Sequence, residues 1–133
     1  MAGIILAASA SLAFGLSAHA DAPRASLGML TRLDDGRWEL RVRGARNQVE
    51  RICIRDGKSL IQLRHPTLAC ENLVVEDSAD SVTVQYTCRG RGYGRTHIRR
   101  ETSQLIQLET QGVASGLPFD FAAEGRRVGD CGG

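Results

Sequence analysis

The most regular stretch of the chain is Trp38-Glu39-Leu40-Arg41-Val42-Arg43, in which apolar and charged residues exchange at every position. A period of two belongs to a strand with one buried face, so Trp38, Leu40 and Val42 face a core while Glu39, Arg41 and Arg43 face water. Gly44-Ala45-Arg46-Asn47 then turns the chain into a second run, Val49 to Ile54, whose alternation slips between Val49 and Ile52 and predicts a bulge. Further on, the strand-like runs 70–76 and 81–88 flank the polar turn Asp77-Ser78-Ala79-Asp80, which is a hairpin signal. Cys70 and Cys88 are equidistant from Ala79 in that turn. A symmetric hairpin sets them face to face and places Val82, Val84 and Tyr86 on the side of Cys88. Residues 94–100 and 104–109 form another hairpin about Glu101-Thr102-Ser103, residues 112–118 read as the longest irregular connection, and Phe119-Asp120-Phe121 opens a last strand that runs to Cys131.

Outside these runs the periodicity changes. Leu27, Leu30 and Leu33 recur every third residue, which predicts a short helix capped by Ser26 and stopped at Gly36; a first strand turning at Asp35-Gly36 is the alternative. Residues 56–63 hold Leu60 and Leu63 on one side and stop before Pro66, as one or two helical turns lying over an end of the sheet. Gly90, Gly92 and Gly94 stand at alternate positions, a spacing that marks a bend or a place where another backbone or a large side chain crosses a strand. The elements add up to a mainly β fold: a curved antiparallel β-meander, a partial barrel, with one or two short helices. A single antiparallel β domain is expected over residues 36–133, after an N-terminal segment, 21–35, that carries the short helix. The concave face of such a sheet either holds an apolar ligand among Trp38, Leu40, Val42, Val82, Val84, Tyr86, Ile106, Leu108 and Phe121 or is filled by them, and the scarcity of aromatics favours the filled core.

Residues 1–20 contain no Asp, Glu, Lys or Arg and end Ala18-His19-Ala20, an apolar run followed by a small-x-small tripeptide. That reads as a signal peptide cut before Asp21, with a membrane anchor as the alternative. A signal peptide is expected to begin with a basic residue, and since none precedes the apolar run the expected start of translation is upstream. After cleavage no stable membrane insertion is expected, and the localisation is periplasm or secreted. The cysteine count agrees: Cys53, Cys70, Cys88 and Cys131 all follow the cut, and structural disulfides are the expected state in an exported chain. Four cysteines allow three connectivities. The hairpin favours Cys70 with Cys88, which leaves Cys53 with Cys131. No C-x-x-C is present, so neither a thioredoxin-like redox motif nor a paired-ligand zinc site is expected, and no metal or cofactor is called for.

Gly36-Arg37-Trp38-Glu39, then Cys53, Cys70, the run Val82 to Cys88 and the ending Gly125-Arg126-Arg127-Val128-Gly129-Asp130-Cys131 together resemble a large family of exported bacterial proteins known as a domain of unknown function. The resemblance spans residues 36–131. It implies a periplasmic placement and a β-rich fold, and it brings no catalytic residues with it.

The densest charge cluster is Arg89, Arg91, Arg95, Arg99 and Arg100, interleaved with Tyr93 and His97. On a regular strand Tyr93, Arg95, His97 and Arg99 share one face, and such a stripe can hold a carboxylate, a phosphate or an anionic sugar by forked hydrogen bonds. The plainer account is a solvated sheet face, since 16 of the 17 basic residues are arginines and Arg is simply the base this chain uses. Nucleic acid is not expected as a partner, because the net charge is only +2 and the aromatics are few. His65 and His97 lie in no nucleophile motif, and Ser59 and Ser115 lack a nucleophile elbow. The expected protein is therefore a monomeric, non-catalytic binding or envelope-associated module, its partner a small molecule or an envelope protein. A hydrolytic enzyme centred on His97 and a structural or stress-response envelope protein are the alternatives.

Overall fold

A computed structural model describes residues 25–132. The predicted signal peptide lies outside the described residues. Among those described, no helix is long and apolar enough to cross a membrane. The architecture is one seven-stranded antiparallel sheet with open edges, in the order β2-β1-β7-β6-β5-β4-β3. Its strands are β1 (Gly36–Val42), β2 (Val49–Ile54), β3 (Glu71–Asp77), β4 (Ser81–Cys88), β5 (Gly92–Thr102), β6 (Leu105–Ala114) and β7 (Leu117–Gly129). A short helix, α1 (Gly28–Thr31), and a 3-10 helix (Gly57–Gln62) complete the fold.

The mainly β fold expected from the alternation is thus present. From β3 to β7 the strands follow one another as a meander, whereas the β1–β2 hairpin joins at the far side by pairing β1 with β7. Because β2 and β3 form opposite edges, residues 55–70 have to cross the sheet. They do so over its inner face, burying Leu60 and Ile61 in the 3-10 helix. Thr96 on β5 donates to the Ile61 carbonyl at 2.5 Å and fastens this crossing to the sheet.

The inner face is filled. Trp38, Leu40, Val82, Val84, Tyr86, Ile98, Ile106 and Leu108 pack with Met29 and Leu30 of α1 and with Leu60 in a single buried cluster. Burying side chains of this size stabilises by about 1.5–3 kcal/mol each before ordering costs. Val42 is only half-buried at its strand end, and Phe121 lies partly covered under the Arg64 guanidinium, 4.4 Å from the ring centre. The helix differs from expectation at its start. Ser26 is exposed and caps nothing; Leu27 takes the cap position in the left-handed region, with φ 54°, and its N–H donates to Asp77 on β3 at 3.2 Å. Met29, outside the three-residue repeat, is buried beside Leu30, and Gly36 opens β1 well after the helix has stopped at Arg32.

Other boundaries shift for local reasons. No bulge separates Val49 from Ile52, since β1 and β2 stay in one register from Gly36↔Ile54 to Arg41↔Val49. The alternation slips there because Val49 points outward while Glu50 takes an inner-side position at the open edge, 3.5 Å from Arg64. The irregularities occur instead at Arg37/Trp38, Val74/Glu76 and Arg100/Thr102. The expected loop 112–118 is strand almost throughout: β6 and β7 are joined by Ser115-Gly116 alone. Both residues have positive φ, 51° and 78°, as a tight two-residue hairpin turn requires.

The two disulfides are Cys70–Cys88 and Cys53–Cys131, with Cα separations of 4.3 and 5.5 Å. The first sits at the open end of the β3–β4 hairpin, one step beyond the Glu71↔Thr87 pair. The second ties the chain end after β7 to the edge strand β2. Such bonds mark an oxidising environment.

Candidate functional site

β5 is the axis of the site, with β4 on one side and β6 and then β7 on the other. Its alternation sends Gly94, Thr96 and Ile98 inward and leaves Tyr93, Arg95, His97 and Arg99 on the outer face, as the sequence pattern predicts. Register then aligns rows of side chains across the strands. One outer row is Gln85↔Arg95↔Gln111↔Asp120, and the next is Thr87↔Tyr93↔Val113↔Pro118. Between them runs a trough of about 590 Å³, floored by the backbone of Tyr86, Gly94, Gly112 and Phe119. A second trough, about 250 Å³, lies on the opposite flank of the first row, between Arg95, Gln111 and Asp120 on one side and His97, Glu109 and Ala122 on the other.

The trough has a cause in the glycines. Gly94 and Gly112 are direct partners across β5 and β6. Neither puts a side chain on the inner face, where Tyr86 lies against Gly94 and the Phe119 ring against Gly112. A sheet can fold about such a row, and folding toward the inner face spreads the outer rows on either side of it. Gly92 belongs to the same corner. A Cβ there would collide with the Val113 carbonyl and stand 2.8 Å from His65 Nε2. His65 is buried between Tyr86 Oη at 3.0 Å and the Arg91 carbonyl at 3.2 Å. The carbonyl only accepts, so Nε2–H donates to it and Nδ1 accepts from the Tyr86 hydroxyl. Burial raises the pKa of that hydroxyl, with a smaller opposing effect from the charge of Arg64.

The outer face divides into a closed and an open region. In the closed one, Glu39 accepts from Arg41 and Arg51 at 3.3 and 3.2 Å, and Glu124 accepts from Arg126 at 3.2 Å and Gln107 at 3.4 Å. Arg126 and then Gln107 hold the Glu124 carboxyl below the ordinary carboxylate range. Arg43 bonds Gln107, and Arg99 bonds Glu101 at 3.0 Å. Arg99 is therefore drawn into this network and away from the trough. In the open region no side-chain hydrogen bond or ion pair within the chain engages Gln85, Arg95, Gln111 or Asp120 among the described residues, and all four are exposed.

His97 has its own arrangement. Thr83 Oγ1 lies 2.8 Å from His97 Nδ1 and 3.1 Å from Glu76 Oε2, and Ser81 also bonds Glu76. The hydroxyls of Ser81 and then Thr83 lower the Glu76 pKa from its ordinary value of 4.5. A carboxylate only accepts, so Thr83 donates to Glu76 and receives the Nδ1–H of His97. Nε2 is left as the open ring atom on the flank of the second trough. The order acid–hydroxyl–imidazole orients the ring and leaves the hydroxyl proton on the side away from it, the reverse of what a hydroxyl nucleophile needs.

Of the four candidate binding residues, Tyr93, Arg95 and His97 therefore border the troughs and Arg99 does not. Sequence reading missed Gln85, Gln111, Asp120, Val113 and Pro118, whose only signal is their register opposite Tyr93 and Arg95. Among the described residues no group of His, Cys, Asp and Glu is placed to hold a metal ion. Comparison with protein-family models, with curated proteins and with solved structures found no match.

Proposed function

We propose that this chain is an exported bacterial binding protein, periplasmic or secreted, that holds a polar ligand in the outer-face trough beside Arg95. The observation that carries this reading is the contrast on one sheet face: most charged groups there are bonded to each other, while the row Gln85, Arg95, Gln111 and Asp120 has no side-chain partner among the described residues and lies along a groove. Polar groups converging on a concavity are what fixes a ligand's orientation. The two disulfides and the apolar run at residues 1–20 support the placement outside the cytoplasm. A hydrolase centred on His97 has less support, since the Thr83 hydroxyl beside the ring is buried and already donates to Glu76.

The test is native mass spectrometry of the protein recovered from a bacterial periplasm, beside its Arg95→Glu variant. A bound mass on the wild type that the variant lacks, with both melting at the same temperature, is the expected result. Identical spectra without an adduct would remove the binding reading.

A further inference from the structure

We infer that the ligand class of this trough is a short oligosaccharide, lying across the strands with its hydroxyls toward Arg95 and a carbon–hydrogen face toward Tyr93. The inference rests on the binding reading above and concerns the chemistry of the same groove.

The two walls differ in kind. One is made by Gln85, Arg95, Gln111 and Asp120, whose side chains all end in planar heads with two adjacent donor or acceptor atoms. Such heads match pairs of neighbouring hydroxyls, each of which both donates and accepts. The other wall is Thr87, Tyr93, Val113 and Pro118, mostly apolar, with Tyr93 55% exposed and free to lie against an apolar ring face. A sugar ring presents both kinds of surface at once. The row crosses β4 to β7. At a strand spacing of about 4.8 Å it extends about 14 Å, which suits several linked rings better than a single one.

Two other ligand chemistries fit less well. Peptides are commonly captured by the free backbone of an edge strand, but β5 and β6, which carry Gly94 and Gly112, are paired on both sides and have no ladder to offer. Phosphates and polyanions need accumulated positive charge. Here Arg95 shares its row with Asp120, which would repel them.

The experiment is an NMR titration of isotope-labelled wild-type protein with soluble cello-, chito- and malto-oligosaccharides at millimolar concentration, with a mixture of short peptides in parallel. Expected are saturable shifts at Gly94, Arg95, Gly112 and Val113 with at least one oligosaccharide. Affinity should fall roughly tenfold in Gln111→Ala and in Tyr93→Ala, the loss of one good contact each, and stay unchanged in Arg41→Ala. Shifts scattered elsewhere, peptide shifts in the trough, or no response to any sugar would overturn the assignment. If the sugars fail while native spectra still show an adduct that Arg95→Glu abolishes, only the ligand class is wrong. If both fail, the binding reading falls with it.

Discussion

The Tyr86 ring fills the space in which position 94 would carry a side chain: a methyl group on Gly94 would stand 2.5 Å from both Cζ and Oη of Tyr86. Tyr86 is itself fixed by core packing and by His65, so it has nowhere to retreat. Gly94→Ala is expected to cost about 1–3 kcal/mol by overpacking, read as a lower midpoint in urea. An unchanged midpoint would mean that the ring is free to move.

Tyr86→Phe removes the donor to His65 Nδ1 and leaves that nitrogen buried without its partner. A loss of about 1–3 kcal/mol is expected, again from urea denaturation. The same hydroxyl contributes to the alkaline limb. Its folded pKa is raised above 10.0, so the folded state keeps its proton longer than the unfolded chain. Stability is then full below pH 10.0 and falls as the pH rises from there through the higher folded value. In Tyr86→Phe this part of the alkaline fall should be absent.

Acid should act in part through Glu76. Its folded pKa lies below 4.5, so its contribution is present above pH 4.5 and lost as the pH falls through the folded value. Because Ser81 is the larger cause, Ser81→Ala should move the Glu76 titration, followed by carbon-detected NMR, back toward 4.5, and Thr83→Val should move it less. A Glu76 that titrates normally in the wild type would contradict the bonding described.

The disulfides close loops of different length, with separations of 18 residues for Cys70–Cys88 and 78 for Cys53–Cys131. In the chain-entropy treatment their removal costs about 3 and about 4.5 kcal/mol respectively. Paired Cys→Ser variants compared by thermal and urea denaturation should show the 53–131 pair costing more. Non-reducing peptide mapping should recover these two linkages, and a 53–70 linkage would contradict the β3–β4 register.

Much of the fold was legible because its signals are local. The alternation from Trp38 to Arg43 names its own buried face, and the near-symmetry of Cys70 and Cys88 about one turn pairs them, with the irregularity at Val74/Glu76 shifting the register from Glu76↔Thr83 to Glu71↔Thr87 and so bringing them opposite each other. The glycines at 92 and 94 announced a crossing, and the crossing side chains are His65 and Tyr86. The Ser115-Gly116 turn escaped notice since it lacks the Asn-Gly or Asp-Gly signature, and Gly112 interrupts the alternation just before it. Of the site, only the β5 stripe was readable. Gln85, Gln111 and Asp120 join it through registers between four different strands, and Arg99 leaves it for Glu101, two residues away on the same strand. No local pattern encodes the docking of β1 on β7.

That docking sets the order in which the chain can fold. Arg37 meets Gly129 across the sheet, so the first strand has no inner neighbour until the last one is in place. The β3–β7 meander can zip up step by step from its own turns, at a loop-closure cost that stays small at every step. The opening hairpin must wait for a contact spanning most of the chain. Folding should therefore be limited by this late, distant closure, as is usual where non-local pairings dominate, and Trp38, buried on β1 beside β7, is the residue whose fluorescence would time it.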